Sequence, residues 1–459
     1  MATSISSTKK KKSPIIIIFL CLILLTALIG VGVFVFFENE KPVIALSNDY
    51  EYIGPETNIT FTITDRKTGL QDISLTLIQG SKEKTLHSTK FPRNGFWLHA
   101  GPEMEQVAYT SKIKKLGFKD GPAKLIIEAH DYSFRGFLGG NATKLQKEII
   151  IDTTPPKINI LHSERYIEPG GSGFVIYRLS DDAVEHGVTI GNDFHPGFLV
   201  GDGRDDVYNC LFGLPYSTKE INNTSIIATD RAGNRAIVPF SPRLRKARQK
   251  QDRINIGDSF LKRKIPELEQ HYPEMEGSLI EKYLYVNNSV RIANNKTIAT
   301  ACTNSDRKRL WKGRFLRMAG SSRAGFADHR TYFYKGKAVD KQVHLGMDIA
   351  STKRIGIKAA GTGKVIFTEY LGIYGNTIIL DHGQGLFSLY AHLSQINVAL
   401  DDMVEKGTLI ALSGATGMAG GDHLHFSMLV NGIFVTPKEW WDQHWIDVTI
   451  EEPLIDSKF

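Results

Sequence analysis

The sequence predicts a mainly β protein with two tandem β-sandwiches, a short helical bridge and a C-terminal antiparallel β domain that has an open groove. Two observations lead to this prediction. Short segments of alternating apolar and polar residues, bounded by turn-forming residues, recur along most of the chain. Between 243 and 302 the apolar spacing becomes helical instead. We expect a tail at 1–13, a membrane-length helix at 14–37, the two sandwiches at 38–153 and 154–242, the helical bridge at 243–302 and the C-terminal domain at 303–459.

The run at 14–37 contains no charged residue, follows four lysines at 9–12 and precedes Glu38. About 20 apolar residues span a bilayer as a helix. A cleaved signal peptide has a shorter apolar core, of about 7 to 15 residues, and a small-residue cleavage site. The sequence therefore predicts an uncleaved single-pass transmembrane anchor at 14–37. The residues at 1–13 are then a cytoplasmic tail, and the bulk of the chain is exported.

The formal net charge of the 459 residues is +7, and subtracting the four lysines of the tail leaves +3 on the remainder. This small charge gives no support for a polyanionic partner, so we expect no nucleic acid. Two cysteines, Cys210 and Cys302, follow the anchor. A disulfide between them is one alternative in an oxidising compartment, and no Cys-x-x-Cys motif offers a metal site.

The two predicted sandwiches share a pattern. Alternating strands are expected at 57–64 in the first and at 173–179 in the second, and each half closes on a strand that ends in aspartate, Asp131 or Asp230. The sequence Asp-Thr-Thr-Pro-Pro at 152–156 marks the boundary. The combination resembles bacterial immunoglobulin-like repeats. That resemblance implies a spacer, with a specific ligand-binding role as the alternative.

The bridge is expected to be mostly helical. A helix start is predicted at Gly257-Asp258, and the segments 275–287 and 289–302 have helix-compatible spacing.

Three motifs near the C-terminus carry the chemistry: His-Leu-Gly-Met-Asp at 344–348, Tyr-Ala-His-Leu at 390–393 and His-Leu-His-Phe at 423–426. Zinc binds neutral imidazole and carboxylate, and a catalytic zinc keeps one position open for water. In a strand, residues two apart face the same side, so His423 and His425 would both face a cleft. Taken singly, each histidine is more often a structural or surface residue. The three motifs together indicate a metal site.

The stretch at 311–445 resembles the LytM/lysostaphin-type zinc peptidases, peptidase family M23, whose marks are H-x-x-x-D, a histidine in Y-x-H-L and H-x-H, in that order. Further segments at 359–365, 374–376, 380–383 and 413–417 match as well. Two features depart from the family pattern. Asp422 stands where many members have proline, and the loop at 418–421 differs from the commonest form.

The resemblance implies one Zn²⁺ per chain, with His344, Asp348 and His425 as metal ligands. It implies His423 and His392 as the catalytic pair. We favour His423 as the general base and His392 as the residue that stabilises the oxyanion, and the reverse assignment stays open. Two other histidines, His382 and His329, are expected in turns or at the surface.

The family resemblance and the predicted anchor together imply a membrane-anchored zinc metalloendopeptidase that hydrolyses the peptide cross-links of peptidoglycan, with D,D-endopeptidase activity favoured. The anchor would then lie in the bacterial inner membrane, with the N-terminus in the cytoplasm and the bulk of the chain in the periplasm. One alternative is a non-catalytic LytM-type regulator that activates cell-wall amidases. Another is a wall-adhesion module built on the sandwiches. A bridge that gates the groove, as pro-regions do in some members, is also open.

Overall fold

The computed structural model describes residues 14–95, 98–135, 139–180, 183–201, 203–246 and 250–457. The chain forms two compact units. The first comprises Met1–Pro155 with Arg231–Asn234, and the second comprises Pro156–Asp230 with Arg235–Phe459. The predicted cytoplasmic tail at 1–13 lies outside the described residues.

The first element is a helix at Pro14–Phe36 that contains no charged residue. A helix bonds its backbone groups internally, as an apolar environment requires, and the hydroxyl of Thr26 likewise donates to the carbonyl of Leu22 at 3.0 Å. Within the described residues, one helix is long and apolar enough to cross a membrane, and it is this one. The helix fits a single-pass anchor or a signal sequence.

The first sandwich follows the helix, and its two sheets have the strand orders β1-β3-β6 and β2-β8-β7-β4-β5. Alternation in β3 places Ile59, Phe61 and Ile63 in the core between the sheets. A short helix lies at Ile113–Leu116. The strands are β1 Val43–Leu46, β2 Tyr52–Ile53, β3 Asn58–Thr64, β4 Leu70–Gln79, β5 Lys82–Lys90, β6 Met104–Thr110, β7 Gly121–Asp131 and β8 Ala142–Ile151.

The second sandwich has two four-stranded sheets, ordered β14-β15-β11-β9 and β13-β12-β16-β17, and a separate pair, β10 with β18. Both Cys210, in this sandwich, and Cys302 are buried free thiols, so the disulfide alternative does not hold in this structure. The strands are β9 Ile158–Ser163, β10 Tyr166–Ile167, β11 Ser172–Leu179, β12 Ala183–Ile190, β13 Asp193–Pro196, β14 Phe198–Leu199, β15 Val207–Gly213, β16 Thr224–Asp230, β17 Arg235–Pro239 and β18 Arg243–Leu244.

Strand β11 of this sandwich is buried on both faces. Val175 and Tyr177 point into the core of the sandwich. Phe174 and Ile176 belong instead to a hydrophobic cluster that includes Trp440 and other residues of the C-terminal domain. The second sandwich therefore has its own core and also packs against the C-terminal domain through a shared hydrophobic cluster.

The bridge begins as a strand and continues as helices. Strand β19, Gln251–Ile256, pairs in parallel with a strand of the C-terminal domain. The first helix starts at Asp258 after the N-cap Gly257, which confirms the predicted start, and ends at Glu269. Further helices at Leu279–Tyr285 and Arg291–Ala301 are joined by a π-helical turn at Val286–Val290. The leading strand was not expected, because its pairing partner lies far along the chain.

The C-terminal domain is built mainly of antiparallel strands, as predicted. Its large sheet has the order β20-β23-β31-β27-β26-β25-β29, with β32 paired to β31, and smaller sheets have the orders β24-β30-β28 and β19-β21-β22. The strands are β20 Ser321–Ala324, β21 His329–Tyr334, β22 Lys337–Val343, β23 Met347–Ala350, β24 Gly356–Lys358, β25 Gly363–Leu371, β26 Gly375–Asp381, β27 Leu386–Leu393, β28 Gln395–Ile396, β29 Met403–Val404, β30 Leu409–Leu412, β31 Leu424–Val430 and β32 Ile433–Val435.

Short helical segments complete this domain. A 3₁₀ turn lies between β25 and β26, and the remaining segments follow β32. They are the 3₁₀ turn Gly372–Tyr374, the helices Pro437–Trp441, Gln443–Ile446 and Glu452–Asp456, and the π-helical turn Asp447–Glu451.

A buried histidine lies where the second sandwich meets the C-terminal domain. His195 of β13 is fully buried. Its Nδ1 lies 3.1 Å from Nδ2 of Asn431, and the same Nδ2 donates to the carbonyl of Leu211 at 3.0 Å. An amide NH₂ only donates, so Nδ1 of His195 is the acceptor and the imidazole is neutral. Burial lowers the pKa of His195 to about 4.

We predict that His195 makes the stability of the fold fall in mild acid. The unfolded imidazole takes up a proton near pH 6.5, whereas the folded one resists protonation down to about pH 4. Its contribution is therefore complete above pH 6.5 and is lost as the pH falls to about 4, at roughly 1.4 kcal/mol per pH unit. In thermal unfolding at pH 7, 6 and 5, His195→Asn should show a shallower fall in melting temperature than the wild type. The exposed-histidine control, His444→Asn, should keep the wild-type slope, and equal slopes for all three proteins would refute the assignment.

Candidate active site

The site is assembled around strand β31. This strand pairs with β23 on one side, where Asp348 is opposite His425, and with β27 on the other side, where Ala391 is opposite His425. His392 follows Ala391 in β27, and His344 lies in the loop that leads into β23. Antiparallel pairing thus brings together three motifs that are far apart in the chain.

Three ligand atoms form a nearly equilateral triangle. The distances are 3.0 Å from His344 Nε2 to Asp348 Oδ1, 3.0 Å from His344 Nε2 to His425 Nδ1 and 3.0 Å from His425 Nδ1 to Asp348 Oδ1. All three residues are buried. We call His344, Asp348 and His425 the triad.

The outer partners of the two histidines indicate which nitrogens carry protons. His344 Nδ1 donates to the carbonyl of Gly325 at 2.8 Å, so its Nε2 has a lone pair. The hydroxyl of Ser427 donates to the carbonyl of Leu345 at 2.8 Å and is therefore the acceptor for His425 Nε2 at 3.1 Å. That bond leaves a lone pair on His425 Nδ1.

Three acceptor atoms consequently face one another across 3.0 Å with no proton between them. This arrangement is repulsive unless a cation binds there. The corners of a 3.0 Å triangle lie about 1.7 Å from its centre, so all three atoms could reach one ion at the usual zinc distance of about 2.0–2.1 Å. The donor set and its spacing fit Zn²⁺ with an open fourth position.

Two more histidines lie beside the triad. The ring centroids of His392 and His423 are 4.8 Å apart. His392 Nδ1 donates to the carbonyl of Thr416 at 2.9 Å, and His423 Nδ1 donates to the carbonyl of Gly421 at 2.8 Å. In the neutral form, both rings therefore present an Nε2 lone pair, and that of His423 is 3.5 Å from Asp348 Oδ1. His392 has a φ of +61°, a strained conformation of a kind that clusters at functional sites.

The electrostatics of the two rings differ. Burial lowers the pKa of His392 well below its usual value, and the neighbouring His423 adds to this effect. Burial also lowers the pKa of His423, but the interaction with the Asp348 carboxylate outweighs it and leaves the pKa raised. A cation held at the triad would offset the charge of Asp348. The carboxylate would then raise the pKa of His423 less.

A cavity of about 420 Å³ opens from the triad, and three arginines line it: Arg291, Arg323 and Arg330. Arg330 donates to Asp348 Oδ2 at 3.0 Å, on the oxygen that faces away from the triangle. None of these arginines was predicted from the sequence to be a site residue. No site role was predicted for Tyr374 either, although its ring centroid is 5.5 Å from that of His425.

Asp422, one of the two departures from the family pattern, lies beside the site. The carboxylate of Asp422 accepts from the backbone N–H of Arg354 at 3.1 Å and from the hydroxyl of Ser413 at 2.5 Å, so it buttresses the wall beside His423. His382 lies in the short connection between β26 and β27, in agreement with the expected turn, but it is fully buried and not at the surface. Its ring nitrogens contact the carbonyl of Thr362 and the hydroxyl of Ser388, both at 2.7 Å.

The first bridge helix contacts the loop that holds His392. Glu267 accepts from the backbone N–H of Gly417 at 2.8 Å, and the ammonium of Lys264 donates to the carbonyl of Ala415. Between these two residues lies Thr416, the backbone partner of His392. The bridge therefore supports one wall of the site.

Most of the C-terminal domain matches a known protein family. Residues 342–437 match Peptidase family M23. The C-terminal domain is a LytM-type M23 domain, and M23 is a family of zinc metallopeptidases.

The chain resembles individual relatives over about a fifth of its length. It is 35% identical over 96 residues to the DD-carboxypeptidase/endopeptidase Mpg of Neisseria meningitidis serogroup B, covering 21% of this chain and 22% of that protein. It is 36% identical over 107 residues to the peptidoglycan DD-endopeptidase ShyB of Vibrio cholerae, covering 23% of this chain and 24% of that protein. It is 34% identical over 95 residues to the murein hydrolase activator EnvC of Escherichia coli, covering 21% of this chain and 23% of that protein.

The chain thus matches less than a quarter of the length of these relatives.

We predict that Arg330 supports metal binding through Asp348. Residues that hydrogen-bond to a metal ligand typically contribute about 10- to 100-fold in affinity, so Arg330→Gln should bind Zn²⁺ more weakly by that factor. The measurement is competition for Zn²⁺ against a chromogenic chelator. Arg323→Gln, a change in an arginine of the same cavity that is not bonded to Asp348, serves as the control and should bind like the wild type. An unchanged affinity in Arg330→Gln would show that the guanidinium does not support the ligand.

Proposed function

We propose that the protein is a membrane-anchored zinc metalloendopeptidase that hydrolyses peptide cross-links of peptidoglycan. One observation carries the proposal: three buried lone-pair donors converge at 3.0 Å beside two further histidines. A surface that only bound another protein would have no need of the second pair of histidines next to a metal-binding triad. The M23 match at 342–437 supports the same activity.

His344, Asp348 and His425 would hold one Zn²⁺, which when bound supplies Lewis-acid activation of the scissile carbonyl and of a water molecule. The His392 and His423 pair then handles protons. One ring accepts the proton of the attacking water and returns it to the leaving amine, while the other donates a hydrogen bond to the oxyanion.

The tautomers bear on the proposed roles of the two histidines. Each Nδ1 proton is engaged by a backbone carbonyl, so the ring that stabilises the oxyanion must be protonated at Nε2. Taking His423 as the base requires a protonated His392, which its burial disfavours. The reverse assignment makes His392 the base and His423 the protonated ring. It is favoured because His423 is the less buried of the two imidazoles.

The arginines of the cavity support cleavage next to a carboxylate. In a cross-link between D-alanine and the side-chain amine of diaminopimelate, the carbon that bears the scissile nitrogen also carries a carboxylate. A glycine bridge has no such group at its interior bonds. Arg291, Arg323 and Arg330 line the space beside the triad, and guanidinium groups match carboxylates well. We therefore favour D,D-endopeptidase activity.

The helix at Pro14–Phe36 is proposed to be an uncleaved anchor in the bacterial inner membrane. The lysines at 9–12 would keep the N-terminus in the cytoplasm, and the bulk of the chain would lie in the periplasm. Peptidoglycan is the substrate that an enzyme of this kind meets there.

A second candidate is a non-catalytic regulator of cell-wall amidases. The similarity to a murein hydrolase activator favours it. The complete triad and histidine pair argue against it.

We predict that the zinc-loaded full chain in detergent releases uncross-linked stem peptides from diaminopimelate-type sacculi, as read by mass spectrometry. His423→Ala and His392→Ala should each slow release by about 10²- to 10⁴-fold, because general acid–base catalysis typically contributes this much. The matched control, His444→Ala, removes an exposed histidine and should keep full activity. A wild type that binds zinc, cleaves nothing and stimulates an added amidase would replace the proposal with the regulator.

We predict that Arg323 contributes to recognition of the carboxylate. On synthetic cross-linked peptides, the wild type should prefer the free acid beside the scissile bond over its amide, with the difference mainly in KM. Arg323→Gln should lose most of this preference, roughly the tenfold that about 1.4 kcal/mol represents, while hydrolysing the amide at the wild-type rate. Equal preference in both proteins would exclude this role.

A further inference from the structure

Three carboxylates converge in the first sandwich, far in the sequence from the M23 domain. They belong to Glu38, Asp65 and Asp131, which are buried with 6%, 3% and 0% exposure. One oxygen from each lies within 4.8 Å of the oxygens of the other two. We call these residues the acidic cluster. They come from the segment after the membrane-length helix, from the turn after β3 and from the end of β7.

The two aspartates are held by backbone and side-chain donors. Asp65 Oδ1 accepts from the N–H groups of Lys67 at 3.2 Å and Gly69 at 2.8 Å. Asp131 Oδ1 accepts from the N–H groups of Ser133 at 3.0 Å and Asn141 at 2.7 Å, and its Oδ2 accepts from Asn141 Nδ2 at 2.8 Å. These hydrogen bonds fix the positions of both carboxylates without a ligand.

Glu38 differs from the two aspartates. Its Oε1 accepts from the hydroxyl of Thr68 at 3.0 Å. Its Oε2 is buried in the cluster and has no hydrogen-bond partner. The side chain of Glu38 is only 3% exposed. A buried carboxylate oxygen without a partner is costly, so this atom points to a missing positive ligand.

The nearby lysine does not supply that charge adequately. The ammonium of Lys67 is 3.8 Å from Glu38 Oε2, which is too long for a hydrogen bond. It is nearer to the exposed Glu40, at 3.1 Å, and its own side chain is 42% exposed. Burial raises the pKa of Glu38 to about 6, and repulsion from Asp65 and Asp131 adds to this. Burial also raises the pKa of Asp65.

We propose that Glu38, Asp65 and Asp131 form a Ca²⁺ site. The donors are all carboxylate oxygens, which hard divalent cations prefer. Calcium binds oxygen at about 2.3–2.6 Å, so two of its ligands are at most about 5 Å apart. The observed limit of 4.8 Å falls inside that range. Three negative charges exceed the ion's charge by one, and Lys67 offsets part of the remainder.

The site would fasten the start of the exported chain to the sandwich. The backbone carbonyl of Glu38 already accepts from the hydroxyl of Ser133 and from Asn141 Nδ2, both at 3.2 Å. A bound ion would add a link between Glu38 and two loops of the sandwich. The residues that follow the membrane-length helix would then be held more firmly when Ca²⁺ is present.

The test is a titration of the zinc-loaded full chain in detergent with CaCl₂, by isothermal calorimetry and by thermal unfolding. We expect one Ca²⁺ per chain and a higher melting temperature on binding. Glu38→Gln keeps an acceptor for Thr68 but removes the unpartnered charge, and should bind Ca²⁺ at least about tenfold more weakly. Glu40→Gln removes a neighbouring exposed carboxylate and should bind like the wild type.

A second readout distinguishes loss of the site from loss of the fold. Without Ca²⁺, Glu38→Gln should melt at a higher temperature than the wild type because carboxylate repulsion is relieved, and added Ca²⁺ should raise its melting temperature little. Asp65→Asn retains an oxygen for its two backbone donors and should behave in the same way. No binding to the wild type at millimolar Ca²⁺, or equal binding by the wild type and Glu38→Gln, would overturn the proposal.

Discussion

The register of β31 against β23 and β27 is the constraint on which the active site depends. Successive side chains of a strand face opposite sides, so a slip of one residue would turn His425 away from Asp348 and His344. Leu424, Phe426 and Met428 prevent such a slip because all three are buried in the hydrophobic cluster on the other face of β31. The packing of one face therefore positions the chemistry of the other.

The candidate site was largely predictable because each motif carries its residues at a spacing that a strand or a tight loop converts directly into geometry. The three motifs, together with the family resemblance, were enough to group His344, Asp348 and His425. Arg330 could not, since it enters from the separate sheet formed by β19, β21 and β22. The chain has 56 lysines and arginines, and nothing local distinguishes the one that reaches Asp348.

The fold, too, was predictable in some parts and not in others. Alternating strands predicted both sandwiches, and helical spacing predicted the bridge helices. The spacer interpretation of the second sandwich overlooked β11, in which Phe174, Val175, Ile176 and Tyr177 are consecutive and all apolar or aromatic. Such a run is typical of a strand buried on both faces. The second face of β11 is covered by a hydrophobic cluster, and most residues of that cluster lie beyond position 310. Local periodicity cannot reveal a contact between residues so far apart in the sequence.

Charge links the triad to the cavity beside it. The lining includes three arginines and two aspartates, Asp348 and Asp252, so the formal balance is +1 when the histidines are neutral. Asp252 is already paired with Lys250 at 2.9 Å, and Asp348 with Arg330. A Zn²⁺ ion held at the triad would raise the balance to +3 in a partly enclosed space, where charges are poorly screened. A peptide that approaches with a carboxylate beside its scissile bond would be attracted, whereas one with an ammonium group there would be repelled.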